Sequence, residues 1–429
     1  MTNNEKIMIA GCAAGAAAAT VPAVYGFVKA TARQPITDKD FLRAENGTFI
    51  SECGATTALK GINLNDDFFW FKKDDLDENS RTAEVFAALE SRFGRYGARQ
   101  LAQKYNEGFI TASDIKKIAK LGANCVRIPL RSRFLLSKDS CKGDIDFERL
   151  DFLIEKCKKA GLYVILDLHS APGFQNTDSA CCKDEESVLF SSSKDGFEAR
   201  NATVRLWAQI AAHYKDEPAI AAYDLLNRPL NRMADWEENL DTLHKFYRRL
   251  IKAIRNVDEK HVIILEAAGA PHTLPVPEKI SDSNVAYGIY SRFHTTYEIQ
   301  ALLNGIHQFG GNGIPFIICK LRADENLESS LTAMNDNGIS WLAGDFKGSG
   351  FKYNYLYSGN VPEADLTADS YEEIGQKWSK PLATKNFAEN KEMSAILKKA
   401  FKYGAIRIEK AEKKTPFKVK FGAKLIYGK

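Results

Sequence analysis

The chain has 429 residues, of which 45% are hydrophobic, 11% aromatic and 27% charged. That is enough apolar material for one large core or two ordinary ones, which excludes general disorder. The net charge of +4 is too weak over this length to point to nucleic acid.

The surplus is also local. Residues 404–429 carry eight Lys or Arg and two Glu, and the rest of the chain stands at −2. At the other end, residues 7–28 form a 22-residue stretch without a charge, preceded by Lys6 and followed by Lys29 and Arg33. At roughly 1.5 Å per residue it is long enough to span a bilayer. Its eight Ala, three Gly and Pro22 fit a cleaved signal peptide equally well. Residues 1–34 are therefore expected to be a signal or a membrane anchor, making the protein secreted or membrane-attached.

From about Phe41 onward, short β-branched runs alternate with amphipathic stretches. Strands are predicted over 58–64, 125–129, 163–169, 222–227, 261–266, 285–290, 315–320 and 338–345. Helical periodicity covers 113–121, 146–160, 198–213, 237–256, 298–309, 326–335 and 391–401. Eight strands with interposed helices and no dividing linker imply an α/β fold, a single-domain (β/α)8 TIM barrel over residues 35–403. A charged helical segment, 81–107, is read as an insertion on the barrel exterior. The tail, 404–429, alternates apolar and basic residues and is read as a solvated extension or an interaction arm.

Eight cysteines lie scattered, without a CxxC pair or zinc-ligand spacing, so neither a metal nor another cofactor is expected. In a barrel of this kind the chemistry sits at the C-terminal ends of the strands. Those ends carry Asn63, Arg127, His169, Asn227, Arg228, Glu266, Tyr290, Lys320 and Asp345. A polar ring closing apolar strands reads as a binding mouth.

The ordered motifs Gly61-Ile62-Asn63-Leu64, Asn124-Cys125-Val126-Arg127-Ile128-Pro129, Leu166-Asp167-Leu168-His169 and Tyr223-Asp224-Leu225-Leu226-Asn227-Arg228-Pro229 resemble the first four strands of glycoside hydrolase family 5, the cellulase-like glycosidases. The resemblance implies retaining hydrolysis, in which one carboxylic acid protonates the leaving oxygen and a second attacks the anomeric carbon. It places the acid/base after the Asn of the fourth strand and the nucleophile at the end of the seventh. Those positions are Arg228 and Lys320 here, so no catalytic residue of the family type is expected. Tyr290-Ser291-Arg292 stands where the family has His-x-Tyr, and Trp341 is the candidate for the aromatic floor of the eighth strand. The ligand-binding set is therefore Asn63, Arg127, His169, Asn227, Arg228, Tyr290, Arg292, Lys320 and Trp341.

Glu266 and Asp345 are the nearest counter-charges for the cations, and also the candidates for a relocated acid and nucleophile. The reading is a pseudoenzyme that binds a carbohydrate ligand, neutral or anionic. A residual glycosidase acting on β-glucan-type polysaccharide and a structural interaction protein stand as the alternatives.

Overall fold

The computed structural model describes residues 34–64, 81–132, 145–177, 181, 187–280, 282–291, 295–309, 313–321, 325–348, 355–360 and 364–402. The hydrophobic leader, the basic tail, Trp70, Arg292 and Asp324 lie outside the described residues. Among the described residues no helix is long and apolar enough to cross a membrane.

The first structured segment is a small antiparallel sheet of β1 (Leu42–Glu45), β2 (Thr48–Ser51) and β3 (Thr56–Thr57). Its first turn is made by Asn46 and Gly47, both at positive φ, the two-residue loop whose twist matches a hairpin. The strand series anticipated from the sequence does not include this sheet.

Eight parallel strands follow: β4 (Lys60–Asn63), β5 (Cys125–Arg131), β6 (Tyr163–Ser170), β7 (Ile220–Asp224), β8 (Val262–Glu266), β9 (Val285–Ser291), β10 (Phe316–Leu321) and β11 (Ser340–Gly348). Each pairs with its neighbour in sequence, β11 pairs with both β10 and β4, and the sheet closes into a (β/α)8 barrel. All eight predicted strands are present. The last runs three residues past its expected end and there pairs with β12 (Tyr355–Ser358), which in turn pairs with β13 (Ala388–Glu389).

Helices α1 (Arg81–Phe109), α2 (Ala112–Leu121), α3 (Glu148–Lys159), α4 (Lys194–Tyr214), α5 (Trp236–Arg255), α6 (Thr296–Phe309), α7 (Leu327–Asp336), α8 (Tyr371–Lys377) and α9 (Lys391–Lys402) are the described helices. Helix α2 shows why the sequence starts and stops where it does. Thr111 and Asp114 form a capping box, and Gly122 ends the helix at φ 112°. The anticipated insertion is α1, bent at Gly94. It packs through Tyr105 on Trp378, just beyond α8, edge to face with ring centroids 5.7 Å apart.

Two apolar layers result. The larger lies between strands and helices. The smaller fills the barrel interior with Cys125, Ile165, Ala222, Ile264, Ala286, Ile317, Cys319 and Leu342, joined by Leu42 and Phe49 of the hairpin. The small sheet therefore plugs the N-terminal end of the barrel. Strand alternation then brings the next inward residues, toward the C-terminal end, to the site.

Candidate functional site

Period-two alternation places Arg127 above Cys125, Asp167 and His169 above Ile165, Asp224 above Ala222, and Glu266 above Ile264. The interior thus changes from hydrocarbon to charge within one layer. Arg127 is the centre of that layer and is 1% exposed. Its Nη2 lies 2.9 Å from Asp167 Oδ1, 2.7 Å from Asp224 Oδ2 and 2.8 Å from Glu266 Oε1. It also donates to Asn63 Oδ1 at 3.4 Å and Asn227 Oδ1 at 3.2 Å.

Three carboxylates around one guanidinium set the local electrostatics. Burial by itself would lower the Arg127 pKa, but Asp167, Asp224 and Glu266 reverse this and hold it well above the ordinary value. Asp224 moves the other way. Burial, then the charge of Glu266, push its pKa well up against the pull of Arg127.

Arg127 also fixes the histidine above it. Because Asn227 Oδ1 accepts from Arg127, its Nδ2 faces His169 Nε2 at 3.4 Å. Nε2 must then accept, which leaves the proton on Nδ1, directed at Asp167 Oδ2 2.6 Å away. The result is an imidazole held in a defined orientation at the mouth.

The loop after β7 holds Arg228 in an unusual backbone. Arg228, Leu230 and Arg232 all have positive φ (47°, 62° and 59°), a conformation that costs an L-residue roughly 1–2 kcal/mol. Hydrogen bonds from several directions secure it. Glu266 Oε2 accepts from the Arg228 N–H at 2.7 Å, and Asn176 Nδ2 donates to the Arg228 carbonyl at 2.9 Å. Leu230 N–H donates to the Gln175 carbonyl, and Thr177 Oγ1 to the Arg232 carbonyl. The Arg228 guanidinium lies over the Tyr290 ring, its Cζ 4.0 Å from the centroid.

Lys320 sits at a register shift of β10 against β9, which re-aims a side chain following the inward Cys319. Its Nζ is 2.9 Å from Asp345 Oδ1, and both side chains are 14% exposed. Glu266 and Asp345 were both expected to neutralise the cations. Asp345 does so at Lys320, whereas the side chain of Glu266 goes to Arg127 and reaches Arg228 only through its backbone.

One expectation is corrected. Trp341 is the second residue of β11, at the N-terminal end of the barrel, and is fully buried. It stacks on Phe401 at 5.0 Å and donates to Asn335 Oδ1, so it belongs to the layer between barrel and helices and offers no floor to a ligand. Phe346, next to Asp345 near the end of the eighth strand, is fully buried against Tyr357 and offers no sugar platform either. Residues absent from the expected set, Asp167, Asp224, Gln175 and Asn176, complete the network. The two aspartates lie at even spacing from His169 and from Ala222, so strand alternation carried that signal.

Asp224, Glu266 and Cys319 bring one donor atom each within 4.8 Å, the spacing of a metal site. Arg127 already stands between the two carboxylates. Burial, followed by Asp224 and Glu266, drives the Cys319 thiol well above its ordinary pKa. The cluster is an ion-pair network around Arg127.

A closed parallel barrel with such a polar mouth is a framework shared by many enzyme classes. The profile of the cellulase family, glycosyl hydrolase family 5, matches residues 79–379, well over half of the chain, and the protein belongs to that family. It is 30% identical over 236 residues to a β-xylosidase of Phanerodontia chrysosporium, covering 53% of this chain and 46% of that one. It is 28% identical over 278 residues to a glucan 1,3-β-glucosidase of Pichia angusta, covering 62% of this chain and 60% of that one. The chain thus spans about half the length of these relatives. Among solved structures it superimposes on an endogalactoceramidase with a TM-score of 0.54 at 18% identity, covering 79% of this chain and 84% of that one. A β-glucanase of Saccharophagus degradans gives a TM-score of 0.51 at 15% identity, covering 87% and 97%. At these identities the structural likeness is one of fold.

Proposed function

We propose that this chain is an exported or membrane-anchored member of family 5 that binds a glycan at the barrel mouth without hydrolysing it. The observation that carries the reading is the pair of cations at the family's two carboxylate positions. Arg228 is stacked on Tyr290, and Lys320 is paired with Asp345. An Arg cannot deliver a proton at neutral pH. The retaining mechanism also passes through an oxocarbenium-like state flanked by two carboxyl groups about 5–5.5 Å apart. Cations at those positions oppose the developing charge, so they raise the barrier.

Relocated catalysis by Glu266 and Asp345 is the second reading, favoured by the hydrolytic activities named for the relatives. Against it stands the geometry of Glu266, which is 1% exposed and has both oxygens engaged. A general acid must be able to reach its substrate.

The ligand class follows from the same pairs. Arg127 is ringed by carboxylates and Lys320 is paired with Asp345, so the mouth presents little net positive charge beside its half-buried aromatic, Tyr290. A neutral β-glucan-type oligosaccharide fits this better than an acidic one.

The test is calorimetry with β-1,3- and β-1,4-gluco-oligosaccharides against uronic oligosaccharides, with reducing-end release followed in parallel. Binding of the neutral sugars without release is expected. Turnover that disappears in Glu266→Gln would overturn the non-hydrolysing reading. Failure of either class to bind at millimolar concentration would overturn the binding reading. Preference for the uronic sugars would make the ligand anionic.

A further inference from the structure

The face of the barrel opposite the mouth carries a second concavity, of about 890 Å³, between the β1–β2 hairpin and the segments entering β8, β9 and β10. That volume lies in the range of ligand-binding clefts, about 300–1,000 Å³. Its apolar wall includes Phe41, Leu42, Pro277, Ile280 and Ile314. Of the charged groups lining it, Arg43 is paired with Glu45, Asp282 with Arg255, and Lys260 with Asp216. Glu52 and Glu259 also line it, are exposed, and make no ion pair among the described residues. The cleft is thus of mixed lining, part apolar, with surplus negative charge on its rim.

The chain itself contains a segment of matching chemistry. Residues 404–429 carry a net +6, and Phe417-Lys418-Val419-Lys420-Phe421 alternates apolar and basic side chains. In an extended conformation that alternation puts Phe417, Val419 and Phe421 on one side and both lysines on the other. The segment also leaves from the right face. Phe401, at the end of α9, stacks on Trp341 at the N-terminal end of β11, and Asn335 donates to the Ala400 carbonyl nearby. Helix α9 therefore ends on the face that bears the hairpin and the cleft. From there, at roughly 3.3 Å per extended residue, some fifteen residues cover about 50 Å, ample to reach Glu52.

We propose that residues 413–424 dock in this cleft, with Phe417, Val419 and Phe421 against the apolar wall and Lys418 and Lys420 on Glu52 and Glu259. The leader, residues 1–34, holds only three cations, Lys6, Lys29 and Arg33, and no alternation of apolar and basic residues. The basic surplus of the protein is then an internal latch over the plugged end of the barrel, and the mouth is left open.

Zero-length carbodiimide cross-linking of the full-length protein, read by mass spectrometry, tests this. Cross-links from Lys418 and Lys420 to Glu52 and Glu259 are expected, and should be lost at high salt. Glu52→Gln with Glu259→Gln, both exposed and tolerant of change, should abolish them. Phe417→Ser with Phe421→Ser should speed hydrogen exchange in residues 41–52 and 277–285. Cross-links scattered over unrelated surface carboxylates would overturn the proposal. So would exchange rates in the cleft that ignore the tail substitutions. Links found only between isotopically distinct copies would replace it with docking between molecules.

Discussion

At the scale of single residues, Lys320 and Asp345 form the pair whose exchange should reveal most about descent. A family-type carboxylate at position 320 would still face Asp345, from a side chain one atom shorter than the lysine whose ammonium now lies 2.9 Å away. Like charges at that range repel, and breaking a buried pair costs roughly 3 kcal/mol. Lys320→Glu alone is therefore expected to lower the denaturation midpoint, and Asp345→Asn added to it should recover most of the loss. Hydrolysis should return only when Arg228→Glu joins these two, because the acid and the nucleophile are both required. Reducing-end release from gluco-oligosaccharides measures this. If the triple variant folds and binds sugar but releases no reducing ends, more than two charges has been lost from the cavity.

Gly288 has an equally specific role. A Cβ there would lie 2.8 Å from Glu266 Cγ, Cys319 Sγ and Ile264 Cγ2. Glu266 can reach Arg127 and the Arg228 N–H because β9 has no side chain beneath it. Gly288→Ala should cost about 1–3 kcal/mol as overpacking. It should also weaken glycan binding by loosening the strained Arg228 backbone, which calorimetry at fixed temperature can resolve from stability. An unchanged affinity in a destabilised variant would show that the Arg228 conformation does not depend on Glu266.

At the scale of elements, the eight barrel strands were legible because most are largely apolar, β-branched runs that alternate in regular order with helical stretches. The helices were legible because their apolar residues recur with helical period. The small N-terminal sheet was missed although Asn46-Gly47 is a hairpin signal. Its strands are four residues or fewer and lack a long apolar run. β12 and β13, of four and two residues, are equally short and exist because β11 overruns its neighbours. Trp341 was misplaced for a related reason. A strand pattern gives the face of a residue by parity, but its height along the barrel depends on where pairing begins, which is Ser340 here.

The C-terminal extension of β11 also carries Lys347, fully buried, which donates to the carbonyls of Phe109 and Leu382 and to Thr384 Oγ1. Rings of Phe109 and Phe387 flank its ammonium. One side chain thus ties α1, the eighth strand and the segment leading to β13. Burial pushes its pKa down to about 7, and Asp114 offsets part of that. The folded protein then holds less of this proton than the unfolded chain between about pH 7 and the ordinary 10.5. Stability contributed here should rise with pH through that window and stay flat below it, with a slope of at most about 1.4 kcal/mol per unit. Urea denaturation from pH 6 to 9 compares native protein with Lys347→Met. If the slope is unchanged in the variant, another group is responsible.

At the scale of the whole molecule, the barrel is closed differently at its two ends. The mouth end is closed by charge, with Arg127 among three carboxylates, while the other is closed by hydrocarbon, with Leu42 and Phe49 seated in the inner core. The net charge of +4 hides this division, since its surplus belongs to a tail and its consequential cations sit in a neutralised cluster. The two ends should therefore be separable by experiment. Phe49 is 1% exposed, so Phe49→Ala removes a whole ring from the plug and should cost about 3–5 kcal/mol. The strands between plug and mouth are held by their own ladder, so sugar affinity, measured well below the new melting temperature, should stay as it was. Arg127→Met is expected to do the reverse in kind, releasing three buried carboxylates and abolishing binding along with about 3–5 kcal/mol of stability. A loss of affinity in Phe49→Ala comparable to that in Arg127→Met would mean that the plug positions the mouth through the barrel, and that the two ends form one cooperative unit.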